Sequence, residues 1–142
     1  MEDKYKTEDD IISLVRAFED TSIARGEWKH REHLVVALYY LNSFDIEAAT
    51  EKMRSGILNL LERGFNVDLA KEMPYHETIT IFWMRAVHRF LAETNGSSLV
   101  RKVAEMSARF NKDYPLLFYS RELLFSDEAR ARFVEPDIVP FD

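Results

Sequence analysis

The stretch Leu34 to Leu41, L-V-V-A-L-Y-Y-L, is apolar on every side. Coiled into a helix it offers no polar face to water, so other elements must cover it all round. A buried strand over Val35-Val36-Ala37-Leu38-Tyr39-Tyr40 is the competing reading, but the length of the segment and the lack of a second strand candidate favour a helix. A central helix wrapped by others is the result.

The other long segments supply the wrapping. Thr7 and Asp10 form a variant capping box, and Ile11, Ile12, Leu14, Val15 and Phe18 recur at helical spacing, giving a first helix that runs to about Asp20. The central helix opens at Trp28, after a connection containing Gly26, and Asn42-Ser43 breaks its pattern. Asp45 is an N-cap for a third helix with the stripe Ile46, Ala49, Met53, Ile57, Leu60 and Leu61, ended by Gly64. A loop over 65–74 follows. Pro74 marks the start of a fourth helix, Tyr75 to about Asn95, stopped by Asn95-Gly96. Ser97 or Ser98 caps a fifth, with the stripe Leu99, Val103, Met106 and Phe110. Beyond Tyr114 come short helical pieces around 116–125 and 126–133, the second capped by Ser126, and then a Pro-punctuated tail, E-P-D-I-V-P-F-D. The expected fold is all-α: one domain over residues 1–142, a bundle of four to five main helices plus short C-terminal helices and an extended tail.

With no Cys, disulfides, a thiolate nucleophile and Cys-based metal sites are excluded, so any metal rests on His, Asp or Glu. A net charge of −6 and a pI of about 5.3 oppose attraction to phosphate backbones and anionic lipid, so no nucleic-acid partner is expected. No apolar run reaches the ~20 residues that span a bilayer, and Met1-Glu2-Asp3-Lys4 lacks the pattern of a secretory signal; no membrane partner and a cytoplasmic location are expected.

Chemistry concentrates in W-K-H-R-E-H-L, which carries His30 and His33, and in P-Y-H-E-T-I-T, which carries His76 and Glu77. Both segments read as the first turn of a helix. Helix 3 must return after a short turn and helix 4 rise again, so helices 2 and 4 start at the same end of the bundle. His30 and His33 lie roughly 60° apart around their helix and one turn apart along it, so both can reach one ion. His76 would supply the third nitrogen, and helix N-termini favour the neutral, metal-binding imidazole. His88, twelve residues beyond His76, lies ~18 Å further along the helix and cannot share the ion. Glu77 is placed as a fourth ligand, a hydrogen-bond partner that orients a ligating histidine, or a general base. The competing reading of each histidine is structural, as a contact to backbone or a cap.

Tyr75, Trp83 and Thr80 are candidate pocket residues, Thr80 with the alternative of bonding back to its own helix. Arg85, Tyr119 and Arg121 are candidate anion or substrate contacts, with an ordinary salt bridge the competing fate of either Arg. H-E-x-x-H is absent because Thr80 stands where its second His would be, and Glu27-Trp28-Lys29-His30 has no second E-x-x-H to make a dimetal bundle. No G-x-G-x-x-G, P-loop or G-x-S-x-G occurs.

The segments W-K-H-R-E-H-L, G-I-L-N-L, Y-H-E-T-I-T-I-F-W and Y-S-R-E-L-L-F-S-D-E-A-R, with the closing E-P-D, together resemble an uncharacterised family of small helical bacterial proteins, over residues from about 28 to the end. The resemblance implies that His30, His33, His76, Glu77, Thr80, Ser120 and Arg121 match that family's marked positions, and it implies no activity. Lys29 stands where those proteins usually have Thr, and the loop E-R-G-F-N-V-D-L-A-K-E-M lacks their Asn and Gly pattern.

Two functions follow as expectations. The first is a mononuclear metal-dependent enzyme acting on a small-molecule substrate, with iron, zinc or manganese on His30, His33 and His76 and with Glu77 assisting proton transfer. The second is a metal-free binding or interaction domain whose aromatic residues line a pocket or the face of a homodimer.

Overall fold

The computed structural model describes residues 4–94 and 96–141. Met1 to Asp3, Asn95 and Asp142 lie outside the described residues, and with them the expected Asn95 stop signal. Among the described residues there are seven α-helices and no strand.

Helix α1, Glu8–Glu19, starts on a complete capping box: Thr7 accepts from the Asp10 N–H while Asp10 accepts from the Thr7 N–H. It buries Ile11, Leu14, Val15 and Phe18. A short 3-10 turn, Arg25–Glu27, leads into α2, His30–Ser43. This helix begins two residues later and ends later than its composition suggests. Trp28 stays outside it, stacked on Phe18 with ring centroids 4.9 Å apart. Residues Leu34 to Leu38 are at most 1% exposed, as a helix apolar on every side requires.

Helix α3, Ile46–Asn59, is capped by Asp45, whose carboxylate accepts from the Ala48 N–H at 2.8 Å. Gly56 sits inside it for a packing reason. A Cβ there would come within 2.4 Å of the Phe18 ring, so the missing side chain is what lets α1 and α3 approach. The helix ends through a π-turn, Leu60–Gly64, in which the Phe65 N–H bonds the Leu60 carbonyl at 2.9 Å. Gly64 closes this turn without taking a left-handed conformation. Asn66, with φ 58°, takes the left-handed conformation instead, and Gly64 lets the Thr21 carbonyl pass close by.

Helix α4 spans Glu77–Glu93, starting two residues after the expected point, and runs antiparallel to α3: Arg54 meets Glu77 at one end, and Ile46 lies beside Arg85 and His88 at the other. Gly96, with φ 87°, stands in the connection to α5, Leu99–Arg109, which Ser98 caps. A 3-10 turn over Tyr114–Leu117 and two one-turn helices, α6 (Arg121–Leu124, capped by Ser120) and α7 (Asp127–Ala131, capped by Ser126), complete the chain before its extended tail.

Candidate functional site

His30 is the first residue of α2. Its Nε2 lies 3.2 Å from the Phe110 carbonyl, to which it donates, and its ring packs 5.0 Å from that of Trp83. Burial lowers its pKa, against the opposing pull of the Phe110 carbonyl.

His33 lies one turn on, its ring 5.8 Å from that of Trp28, and its Nε2 is buried with no hydrogen-bond partner. Burial, and secondarily His30, pushes its pKa down to about 4.

His76 is the N-cap of α4 rather than part of its first turn. Its Nδ1 accepts the Ile79 N–H at 3.2 Å, and its Nε2–H donates to the Leu124 carbonyl of α6 at 2.6 Å. Burial leads in lowering its pKa, helped by Arg130 and opposed by the Leu124 bond. A protonated ring would lose the Nδ1 lone pair that makes the cap.

These bonds occupy nitrogens that the expected ion site needs. Both ring nitrogens of His76 and the Nε2 of His30 are already engaged. His30 also lies against Trp83, seven residues and so ~10 Å beyond His76 along α4, so the two helix starts are offset. Among the described residues no three His, Asp or Glu side chains gather in a group able to hold a metal ion. The donor set as folded does not fit iron, zinc or manganese.

Glu77 takes three hydrogen bonds: Arg54 Nε at 3.0 Å, Arg54 Nη2 at 2.6 Å and the Tyr75 hydroxyl at 2.5 Å. Burial works to raise its pKa, but the bonds from Arg54 and Tyr75 and the Arg54 charge outweigh it and hold it below the usual carboxylate range. Arg54 also reaches Glu51 at 2.6 Å. An anchored, ionised carboxylate suits a tie between α3 and α4 better than proton transfer near neutral pH.

The other candidates divide. Tyr75 is spent on Glu77, Thr80 donates back to the His76 carbonyl at 3.0 Å, and Trp83 lies in the core against Phe82, Phe110 and Tyr114. Tyr119 is buried and donates to the Val134 carbonyl at 2.6 Å. Arg121 is exposed as the first residue of α6.

The motif residues share one task. Thr78 donates to the Arg132 carbonyl at 2.9 Å and accepts the Val134 N–H at 3.1 Å. Ser120 gives both its N–H and its hydroxyl to Asp137, at 2.7 and 2.6 Å. The Ile138 N–H bonds the Phe118 carbonyl at 2.9 Å, and Phe141 packs on Phe82 and Phe118. Residues 132–141 thus form a strap fastened across α4.

Of the six expected substrate contacts, Arg85 stands on the wall of a groove. Two adjoining cavities of about 330 and 430 Å³ share Ile46 and Arg85; the first adds Glu47, Thr50, Arg54 and Ile81, the second His88, Arg89 and Phe141. The Arg85 guanidinium lies 4.3 Å from the Phe133 ring centroid, and its Nη1 is 4.0 Å from Glu135. Arg89 lies 5.5 Å from the Phe141 ring. Sequence reasoning missed His88, Arg89, Ile46 and Phe141 as one site. The signal was present, because Arg85, His88 and Arg89 stand at i, i+3 and i+4 and so share one helix face.

It also missed Glu32, only 3% exposed, which accepts the Tyr5 hydroxyl at 2.6 Å and lies 3.5 Å from Lys4 and 3.8 Å from Arg31. Burial and that bond raise the Tyr5 pKa. The group secures the N-terminal segment to α2.

Among the described residues no helix is long and apolar enough to cross a membrane. Comparison with family models, with curated proteins and with solved structures finds no match.

Proposed function

We propose that the protein is a helical binding domain that takes a small anionic molecule into the groove between α3 and α4. The observation that carries this reading is the basic face Arg85, His88 and Arg89, set beside apolar Ile46 and Phe141 in a chain of net charge −6. Guanidinium groups on one helix face next to apolar surface orient an amphipathic anion. The cavity volumes fall within the ~300–1,000 Å³ that small-molecule sites occupy. On this reading the histidine, Y-H-E-T-I-T and Y-S-R-E motifs build and fasten the fold around the groove. The metal-dependent reading lacks equivalent support, because both nitrogens of His76 and the Nε2 of His30 are bonded to backbone.

Thermal denaturation against matched amphipathic anions, cations and neutral molecules tests the proposal. Anions should raise Tm, and Arg85→Gln should abolish the rise. An equal rise with cations, or a rise that survives the substitution, would overturn it.

A further inference from the structure

Resting on that reading of the groove, we infer that its ligand is a singly charged carboxylate with an apolar body, and that Glu135 occupies the carboxylate position until the ligand arrives. Phe133 lies over the Arg85 guanidinium carbon, 4.3 Å from its ring centroid, an attraction that holds the group while its N–H donors stay open to an acceptor. Beside those donors stands Glu135, 4.0 Å from Nη1. The distance exceeds a hydrogen bond and both side chains are exposed, so the pair is weak and gives way to a carboxylate that comes closer. A bidentate carboxylate matches the guanidinium fork better than the loose internal contact does.

The rest of the groove describes the ligand's body. Ile46, Ile81 and Phe141 offer an apolar floor beside the cationic edge. Phe141 is held there by Phe82 and Phe118, and Glu135 by the strap anchors on either side of it, Thr78 to Val134 and Ser120 to Asp137. Charge decides between a monoanion and a phosphate-like dianion. Arg54 is held by Glu77 and Glu51, so Arg85 and Arg89 are set against Glu47 in the groove and Glu135 at its rim, and a monoanion unbalances these charges less than a dianion does. A neutral apolar molecule adds no charge but leaves Arg85 without a new partner.

Octanoate, octyl phosphate and octanol, titrated into the full chain and followed by amide chemical shifts, test the inference. Octanoate should bind tightest and shift residues around Ile46, Ile81 and Arg85. Glu135→Gln should strengthen octanoate binding about two- to five-fold, the worth of an exposed ion pair, and Arg85→Gln should weaken it about tenfold, the loss of a charge-assisted bidentate bond. Octanoate binding that Glu135→Gln leaves unchanged or weakens would overturn the displacement of Glu135 while the groove still binds anions. Tighter binding of octyl phosphate would overturn the carboxylate class. Failure of all three probes to perturb the groove would overturn the binding reading itself.

Discussion

A buried imidazole nitrogen needs a hydrogen-bond partner or must stay neutral, and the three histidines meet this demand differently. His76 uses both nitrogens on backbone, His30 gives one to the Phe110 carbonyl, and the His33 Nε2 has no partner. The pKa of His33, pushed down from 6.5 to about 4, has a stability consequence. The unfolded chain binds this proton more readily than the folded one, so the stabilisation is complete above the unfolded pKa and is lost as pH falls toward 4. Between pH 7 and 5 the loss from this group should be on the order of 2 kcal/mol, with His30 and His76 adding in the same direction. Urea denaturation at pH 7, 6 and 5 checks it: His33→Leu should flatten the decline, and a slope equal to wild type would show that His33 burial is not its cause. At this scale the caps made by Thr7, Asp45 and Ser126 were legible, because each bonds a donor three residues away. The role of His76 was only partly so. Its cap is local, but the Leu124 carbonyl that takes its other nitrogen is 48 residues distant, and no spacing rule reaches that far.

Helix existence followed from periodicity, whereas helix starts depended on tertiary partners. Trp28 and Tyr75 are expected inside their helices because one follows the Gly26 connection and the other follows Pro74; one is drawn out onto Phe18 and the other onto Glu77, and α2 and α4 begin two residues later. Gly56 shows the same limit, since a glycine within a helix looks replaceable until Phe18 is seen against it. Ala at an ordinary helix interior stabilises by ~0.5–1 kcal/mol, but overpacking a tight core costs ~1–3 kcal/mol. Gly56→Ala should therefore lower the urea midpoint with the m-value unchanged, and Phe18→Leu should make the second substitution less harmful by opening space for the new methyl group. Additive losses in the double variant would contradict the contact. The strap gives a further expectation. Thr78→Val keeps shape but removes one donor and one acceptor, leaving the Val134 N–H and Arg132 carbonyl without their partner. Such a loss costs ~1–3 kcal/mol when the groups stay buried. Faster proteolysis within 132–141 at near-unchanged helical content is the expected result, and protection equal to wild type would show that the strap is held by its other anchors.

Across the whole molecule, the all-α bundle was legible because one segment demanded cover on all sides and the others supplied it. The relative placement of the three histidines was not, since topology places helix starts at one end without fixing their offset or the rotation of each helix. The two readings of the chain make opposite demands on metal content. If His30, His33 and His76 are committed to packing and backbone bonds, opening His76 to an ion means giving up both the α4 cap and the Leu124 bond, and losing a cap alone costs ~0.5–2 kcal/mol. Protein purified without a polyhistidine tag and dialysed after incubation with iron, zinc and manganese salts should then carry far less than one ion per chain, with no metal-dependent rise in Tm. His76→Ala should lower Tm equally with and without added metal, because what it removes is a cap. One tightly bound ion per chain, lost on His30→Ala, His33→Ala and His76→Ala alike, would instead show that the histidines rearrange to converge, and would restore the metal-dependent enzyme as the better reading.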